Sequence, residues 1–354
     1  MAQTAPMEDQ AARLALREDL ARFDCRIAQP DDPPLFTRSP NSASQTTLWR
    51  WKDLEPLLER LGEQLTLDAG GQRRTLRLQN PGLPFGTTTT FWGSIQVILP
   101  GEIAGAHRHT ANAFRFILKG SGATTTVNGE RYTMNEGDLV LTPGMTWHDH
   151  EYHGETPMIW LDVLDISLMR SMHATFFEPG EKIQQEVSAV PDASWRKWGS
   201  GLMSPPGQAP RTADNPLLVY PHEVAQAALQ AAAGLPPDPF DDVVLEYRNP
   251  LTGGPAMRTM GMRLQTLRPG MRGRARRHTG SKLYYVVRGE GATIVEGRTY
   301  EWSTGDFLTI QPWAWHEHLN RSSTGEATLF QVNDFPAMSV LGYYFEEERA
   351  EAAS

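Results

Sequence analysis

A single cysteine, Cys25, serves a chain of 354 residues. An intrachain disulfide is therefore excluded, and a reducing compartment such as the cytoplasm is expected. Basic residues are also scarce: 33 Lys and Arg stand against 42 Asp and Glu, a formal net charge of -9. They are scattered rather than clustered, which argues against nucleic acid or an anionic membrane as the main partner. The start, MAQTAPMEDQ, has neither the basic beginning nor the apolar run of a signal peptide, and no stretch reads as a membrane span. What is present is apolar content of 40% with ten tryptophans, over a length sufficient for two domains with their own cores.

The chemistry is concentrated in GEIAGAHRHTANAFRFILKG, Gly101 to Gly120, and GDLVLTPGMTWHDH, Gly137 to His150. Side chains on a strand alternate faces, so His107 and His109 look the same way. A second strand packed beside the first can bring His148 to the same point, giving three neutral imidazoles around one ion. Three protein nitrogens leave coordination positions open, as a catalytic metal needs and a structural one does not. This arrangement of glycines, Pro143 and histidines resembles the two cupin motifs, over residues 97 to 166. The resemblance implies a small antiparallel barrel with a metal in its mouth. The glutamate ligand usual in cupins should fall near Ala113 or Phe114 and is absent, and Met145 replaces the customary glycine. A three-histidine site is therefore expected.

Around this core, apolar spacing predicts a helix over Ala11 to Phe23 and a second through Leu48, Trp49, Trp51, Leu54, Leu57, Leu58 and Leu61, ending near Gly62. Residues 65 to 100 read as short strands turned by NPGLPFG, Asn80 to Gly86. Prolines interrupt residues 180 to 240, leaving room for one alanine-rich helix, His222 to Gly234. The second half then repeats the first. His278 to His318 matches His109 to His150, pairing Gly120 with Gly289, Gly137 with Gly305, Asp138 with Asp306 and His148 with His316. The expected fold is thus mainly β, a bicupin of two small antiparallel barrels. Its parts are a helical extension (1–64), a metal-bearing barrel (65–180), a linker with a helix (181–240) and a second barrel (241–345). Arg276 stands where His107 stood, and a guanidinium has no lone pair to give a metal. The second barrel is expected to hold no ion. Arg272, Arg274, Arg276 and His278 share a strand face, where salt bridges are favoured over an anion pocket.

Together with HRHTANAFRF, WLDVLD (Trp160 to Asp165), RRTLRLQNPGL (Arg73 to Leu83) and NPLTGG (Asn249 to Gly254), these motifs resemble the gentisate and salicylate 1,2-dioxygenase family, which includes 1-hydroxy-2-naphthoate and 5-nitrosalicylate enzymes. The resemblance implies one Fe(II) per chain on His107, His109 and His148. It also implies an aromatic hydroxy-acid and dioxygen as substrates, cleavage between the carboxyl-bearing and hydroxyl-bearing ring carbons, and a homotetramer. Arg115, between Phe114 and Phe116, is suited to hold the substrate carboxylate by paired hydrogen bonds. By resemblance Arg73 is a second substrate contact and Gln96 lines the metal cavity. His150 is the candidate acid or base, Asp162 a group that orients it or its neighbours, and Trp92 an aromatic wall. Gentisate-cleaving members often carry histidine at Thr75 and tyrosine at Trp92, and Ser94 replaces a glycine or small apolar residue. These departures point to a salicylate, plain or substituted at its 5-position as in 5-nitrosalicylate, with gentisate as the alternative. A non-catalytic binding cupin is the alternative of another class, and the histidine triad counts against it.

Overall fold

The structure, a computed structural model, describes residues 7–28, 32–67, 73–203, 206 and 214–350. Residues up to Asn41 form one unit, and the chain from Ser42 onward forms another. The first contains helix α1 (Met7–Ala21), on which Leu14 and Leu16 are exposed. Phe23, expected within that helix, lies beyond its end.

The second unit begins with β1 (Thr47–Trp49), α2 (Trp51–Gln64), β2 (Thr75–Arg77), β3 (Trp92–Ile98), β4 (Ile103–His109), β5 (Ala113–Lys119) and β6 (Ala123–Val127). It continues with β7 (Glu130–Met134), β8 (Leu139–Thr142), β9 (His148–Glu151), β10 (Met158–Leu164), α3 (Ile166–Ser171), β11 (Phe177–Pro179), α4 (Ala193–Trp198), β12 (Val219–Tyr220) and α5 (His222–Ala232). The last stretch comprises β13 (Val243–Glu246), β14 (Gly261–Leu267), β15 (Arg276–His278), β16 (Lys282–Arg288), β17 (Glu290–Val295) and β18 (Arg298–Ser303). It ends with β19 (Phe307–Ile310), β20 (His316–Leu319), β21 (Ala327–Asn333), α6 (Phe335–Val340) and β22 (Glu346–Glu348).

Each barrel is made of a six-stranded and a five-stranded sheet. In the first barrel they run β12-β8-β5-β10-β3-β2 and β11-β4-β9-β6-β7. In the second they run β1-β19-β16-β21-β14-β13 and β18-β17-β20-β15-β22. Period-two alternation sends one set of side chains outward from each large sheet. Ile95, Phe114, Phe116 and Leu161 of the first meet Leu264, Leu283, Phe330 and Val332 of the second in one core, and Phe116 stacks on Phe330 at 4.0 Å. The two barrels are therefore packed back to back, which leaves the inner faces for chemistry.

Two segments cross between the barrels. Leu48 and Trp49, which extend the apolar spacing of α2, do not join it: Thr47–Trp49 pairs with β19 of the second barrel. The helix starts only at Trp51, whose N–H donates to Asp306 Oδ1 at 2.8 Å, and it then lies against β2 and β3 of the first barrel. Reciprocally, β12 pairs with β8 of the first barrel, the His222 N–H at the start of α5 donates to Asp138 Oδ1 at 2.8 Å, and α5 packs on β13 and β14. A helix N-terminus leaves N–H groups without intrahelical acceptors, and a carboxylate there satisfies both hydrogen bonding and the dipole.

This explains the repeated Gly-Asp pair. Gly137 and Gly305 have φ of 83° and 90°, and a Cβ would stand 2.3 Å from His222 Nδ1 and 2.6 Å from Trp51 Cγ, respectively. Only glycine admits the incoming helix. Removing the Asp306 carboxylate, which also accepts from Ser303 N–H and Arg50, leaves donors unmatched. Asp306→Ala is expected to cost about 1–3 kcal/mol, read as a lower urea midpoint at unchanged m-value. Asp306→Asn keeps an acceptor oxygen and should lose less. An alanine variant as stable as the parent would refute the assignment.

Candidate metal centre

Strands β4 and β9 run antiparallel with His107 opposite His148. His109 follows two residues along β4, and the ligand atoms of the three rings all lie within 4.8 Å of one another. Ring centroids are 4.2 Å apart for His107 and His148 and 4.9 Å for His109 and His148. Each Nδ1 faces a backbone carbonyl two residues away: Gly105 O at 3.1 Å for His107, Ala111 O at 2.8 Å for His109, Thr146 O at 3.0 Å for His148. A carbonyl can only accept, so at His109 and His148 Nδ1 carries the ring proton and Nε2 turns its lone pair toward the cluster, whereas His107 Nδ1 also lies 2.9 Å from the Arg73 guanidinium, which can only donate. The Nε2 of His148 is buried without a hydrogen-bond partner. Burial, then the Arg73 guanidinium, lowers the His107 pKa to about 3, and burial holds His148 well below the usual imidazole range. Three neutral imidazoles with converging lone pairs suit a divalent ion.

The position where cupins usually carry glutamate offers none. Ala113 is buried and too short to reach an ion, while Phe114 faces the core between the barrels. Among the described residues the cluster is purely imidazole.

Around it lie buried polar groups that the protein does not satisfy. Arg115, 3% exposed, donates from Nη1 to Thr142 Oγ1 at 2.6 Å, has Nη2 3.9 Å from Asp162 Oδ2, and leaves Nε unpartnered. Register explains the grouping, because Arg115 faces Asp162 across β5 and β10, and Asp162 faces Ser94 across β10 and β3. Thr75 lies opposite Gln96 on β2. The Gln96 amide has no partner at either end, nor has Trp92 Nε1 or Asp162 Oδ1. Arg73 donates to Gly105 O at 2.8 Å, with the same nitrogen 2.9 Å from His107 Nδ1. Burial, then Arg115, lowers its pKa to about 10. Ser94 Oγ makes one long contact, 3.4 Å to Asp162 O. Such unmatched buried groups are rare in finished interiors and are what a polar ligand would complete.

His150 is fully buried on the same strand as His148. Its Nδ1 lies 2.6 Å from Thr125 Oγ1, whose hydroxyl donates to Met134 Sδ at 3.1 Å. With that proton directed at sulfur, the Thr125 oxygen accepts from Nδ1–H, and His150 Nε2 keeps a free lone pair. Burial, then Arg115 and Arg73, depresses its pKa well below the ordinary value. It is a neutral acceptor.

Two further features escaped sequence reasoning. Trp160, opposite Gln96 on β10, is buried with Nε1 unpartnered, and its ring is 5.6 Å from that of His150. Its alternation with Asp162 in WLDVLD was the available signal. Thr142 and Thr125, which hold Arg115 and His150, carried no signal beyond strand parity. Asp165, at the end of WLDVLD, accepts from Asn112 N–H and from Thr259 of the second barrel at 2.6 Å. In the second barrel the arginines are matched by carboxylates: Arg272 by Glu317, Arg274 by Glu348, Arg276 by Asp241 and Glu346.

No helix among the described residues is long and apolar enough to cross a membrane. The cupin domain family model matches residues 94–164 and 263–333. A 5-aminosalicylate 1,2-dioxygenase of a Comamonas species is 39% identical over 98% of this chain and 93% of its own length. A gentisate 1,2-dioxygenase of a Streptomyces species is 35% identical over 87% of each chain. The crystal structure of a substituted form of salicylate 1,2-dioxygenase from Pseudoaminobacter salicylatoxidans, in complex with gentisate, superposes with a TM-score of 0.91 at 30% identity, covering 99% of both chains. Fold, imidazole cluster and relatives agree: this chain is a bicupin belonging to the ring-cleaving 1,2-dioxygenases of the gentisate and salicylate family.

Proposed function

We propose that this enzyme is an Fe(II)-dependent 1,2-dioxygenase of a salicylate, plain or substituted at the 5-position, that places both oxygen atoms between the carboxyl-bearing and hydroxyl-bearing ring carbons. The observation that carries it is the pair of guanidiniums, half-buried Arg73 and buried Arg115, beside three neutral imidazoles, with the Asp162 carboxylate 3.9 Å from Arg115. Those guanidiniums favour an anion, and a metal with open positions favours one that carries a second oxygen donor next to its carboxylate. A salicylate is such a molecule.

Fe(II) held by His107, His109 and His148 would supply the redox chemistry that joins oxygen to the ring. The side chains do the rest. Arg115, steadied by Thr142 and Asp162, presents its free Nε–H and an outer N–H to the carboxylate, and Arg73 adds positive potential on the His107 side. His150 Nε2, kept neutral by burial and by the same arginines, is placed to accept a hydrogen bond from the phenolic O–H. Gln96 and the indole N–H groups of Trp92 and Trp160 offer hydrogen bonds to oxygen at the ring edge. Trp92 is braced by Phe85 edge-on at 4.0 Å and by Arg77 over its face at 5.0 Å.

We assign the choice of ring substituent to Trp92, Ser94 and Thr75, which share one face of β2 and β3. The hydroxyls of Ser94 and Thr75 replace groups that the resemblance associates with gentisate cleavage. The Comamonas relative named for 5-aminosalicylate supports an amino group as the first substituent to test. The gentisate reading is supported by the Streptomyces relative and by the gentisate-bound neighbour. We place the enzyme in the cytoplasm as a homo-oligomer, a tetramer by resemblance.

Dioxygen uptake by Fe(II)-loaded protein against salicylate, 5-aminosalicylate, 5-nitrosalicylate, gentisate and 1-hydroxy-2-naphthoate should give its highest kcat/KM with a salicylate lacking the 5-hydroxyl. A clear preference for gentisate would select the alternative. Arg115→Ala should weaken substrate binding about 10- to 100-fold, the worth of a charge-assisted hydrogen bond, with metal content unchanged; unaltered KM would remove Arg115 from the carboxylate site. His107→Ala should retain no iron after gel filtration, and a full complement in that variant would exclude His107 as a ligand.

A further inference from the structure

The second barrel repeats much of the imidazole frame but meets it with a different group. Arg276 lies opposite His316 as His107 lies opposite His148. His278 follows Arg276 by two residues, as His109 follows His107. His316 Nδ1 faces Ala314 O at 2.9 Å, the counterpart of the His148 bond to Thr146, so its Nε2 also presents a lone pair inward. His278 Nε2, His318 Nε2 and the Gln265 amide are buried without partners. A frame for an ion is present.

Arg276 accounts for one missing ligand, because its guanidinium turns to Asp241 and Glu346. It does not account for the other two imidazoles. Lys282 stands four residues after His278, the place Ala113 holds after His109. Its side chain is fully buried, and its Nζ lies 3.1 Å from His316 Nε2. An amine donates an N–H to that lone pair whether or not it carries its extra proton.

We propose that Lys282 is a built-in occupant of the second barrel's metal position: its Nζ engages the His316 lone pair that a divalent ion would require and so confines metal to the first barrel. The inference rests on the metal reading of the first barrel only for the comparison between barrels. It adds to the loss of the third imidazole, since removing Lys282 matters even where Arg276 remains. A buried lysine with a hydrogen-bonded imidazole and a neighbouring arginine is expensive to desolvate. The Asp241 carboxylate, held low by Arg276 and Lys282 against its own burial, supplies the compensating charge.

The test counts ions. Wild type, Arg276→His and Lys282→His are loaded anaerobically with Co(II), passed through gel filtration, and measured for metal per chain by mass spectrometry and for imidazole coordination by the visible Co(II) spectrum. Arg276→His should match the wild type, because Lys282 still blocks the position. Lys282→His, which leaves the Arg276–Asp241 pair intact and substitutes a third imidazole for the amine, should gain one ion per chain. The same three proteins in a His148→Ala background assign the ions, since only the second barrel can then bind. A first-barrel failure appears as no loss of metal on His148→Ala. The proposal itself is overturned if Arg276→His gains an ion, or if folded Lys282→His, judged by near-ultraviolet circular dichroism, gains none. Should Lys282→His fail to fold, the Arg276→His, Lys282→Ala double variant is counted with the same expectation.

Discussion

Three backbone carbonyls fix what this enzyme can hold. Ala111 and Thr146 take the Nδ1 protons of His109 and His148, two residues away, which points two Nε2 lone pairs at one spot, and the Gly105 carbonyl with the Arg73 guanidinium holds the ring of His107 beside them. Without those bonds the imidazoles would choose tautomers and rotamers independently, and ordering them on binding would cost side-chain entropy. The barrel exists to keep the carbonyls in place. Opposed register of β4 and β9 sets the His107–His148 spacing, and burial keeps the rings neutral and ready.

Rigidity of that frame comes from outside the barrel. Because α2 begins on Asp306 of one barrel and lies on the other, and α5 does the reverse from Asp138, neither barrel carries its full set of contacts alone. Smaller clamps follow the same exchange: Thr259 donates to Asp165, and Thr90 donates to Asp334, both at 2.6 Å. Asp165 and Asp334 in turn accept the N–H groups of Asn112 and Ser281, just ahead of β5 and β16. The strand that carries Arg115 is thus anchored to the neighbouring barrel. The second barrel is in this sense a scaffold for the first.

What the sequence made legible was whatever depends on local spacing. His-x-His on a strand, the answering His148, and the repeat of glycine landmarks required no tertiary knowledge, and the missing glutamate at Ala113 and the guanidinium at position 276 were readable as substitutions within that pattern. Functions that depend on strand register were not readable. Nothing local says that Arg115 faces Asp162, that Thr142 would hold it, or that Trp160 shares the cavity with Gln96. The boundary of α2 failed for a related reason: Leu48 and Trp49 continue an apolar spacing, but a strand of the distant barrel claims them and Asp306 decides where the helix begins. Asp138 and Asp306 were visible as landmarks, while their work as helix anchors was visible only in three dimensions.

Charge explains why two similar barrels have different fates. In the first, Arg115 meets Asp162 only at 3.9 Å, Arg73 bonds a carbonyl and contacts an imidazole, and buried donors around them have no partner. Such a site is costly to leave as it is and lowers its energy by taking in an anion. In the second, Arg276 is paired with Asp241 and Glu346, burial drives Lys282 toward its neutral form, and Tyr284 stands where the first barrel has Arg115, bonded to Gln331 where the first has Asp162. Its arginine is closed by carboxylates, which leaves no unmatched guanidinium to draw in an anion. Divergence between the repeats therefore amounts to moving a few charges across the inner face, with the imidazole frame and the Gly-Asp anchors left where they were.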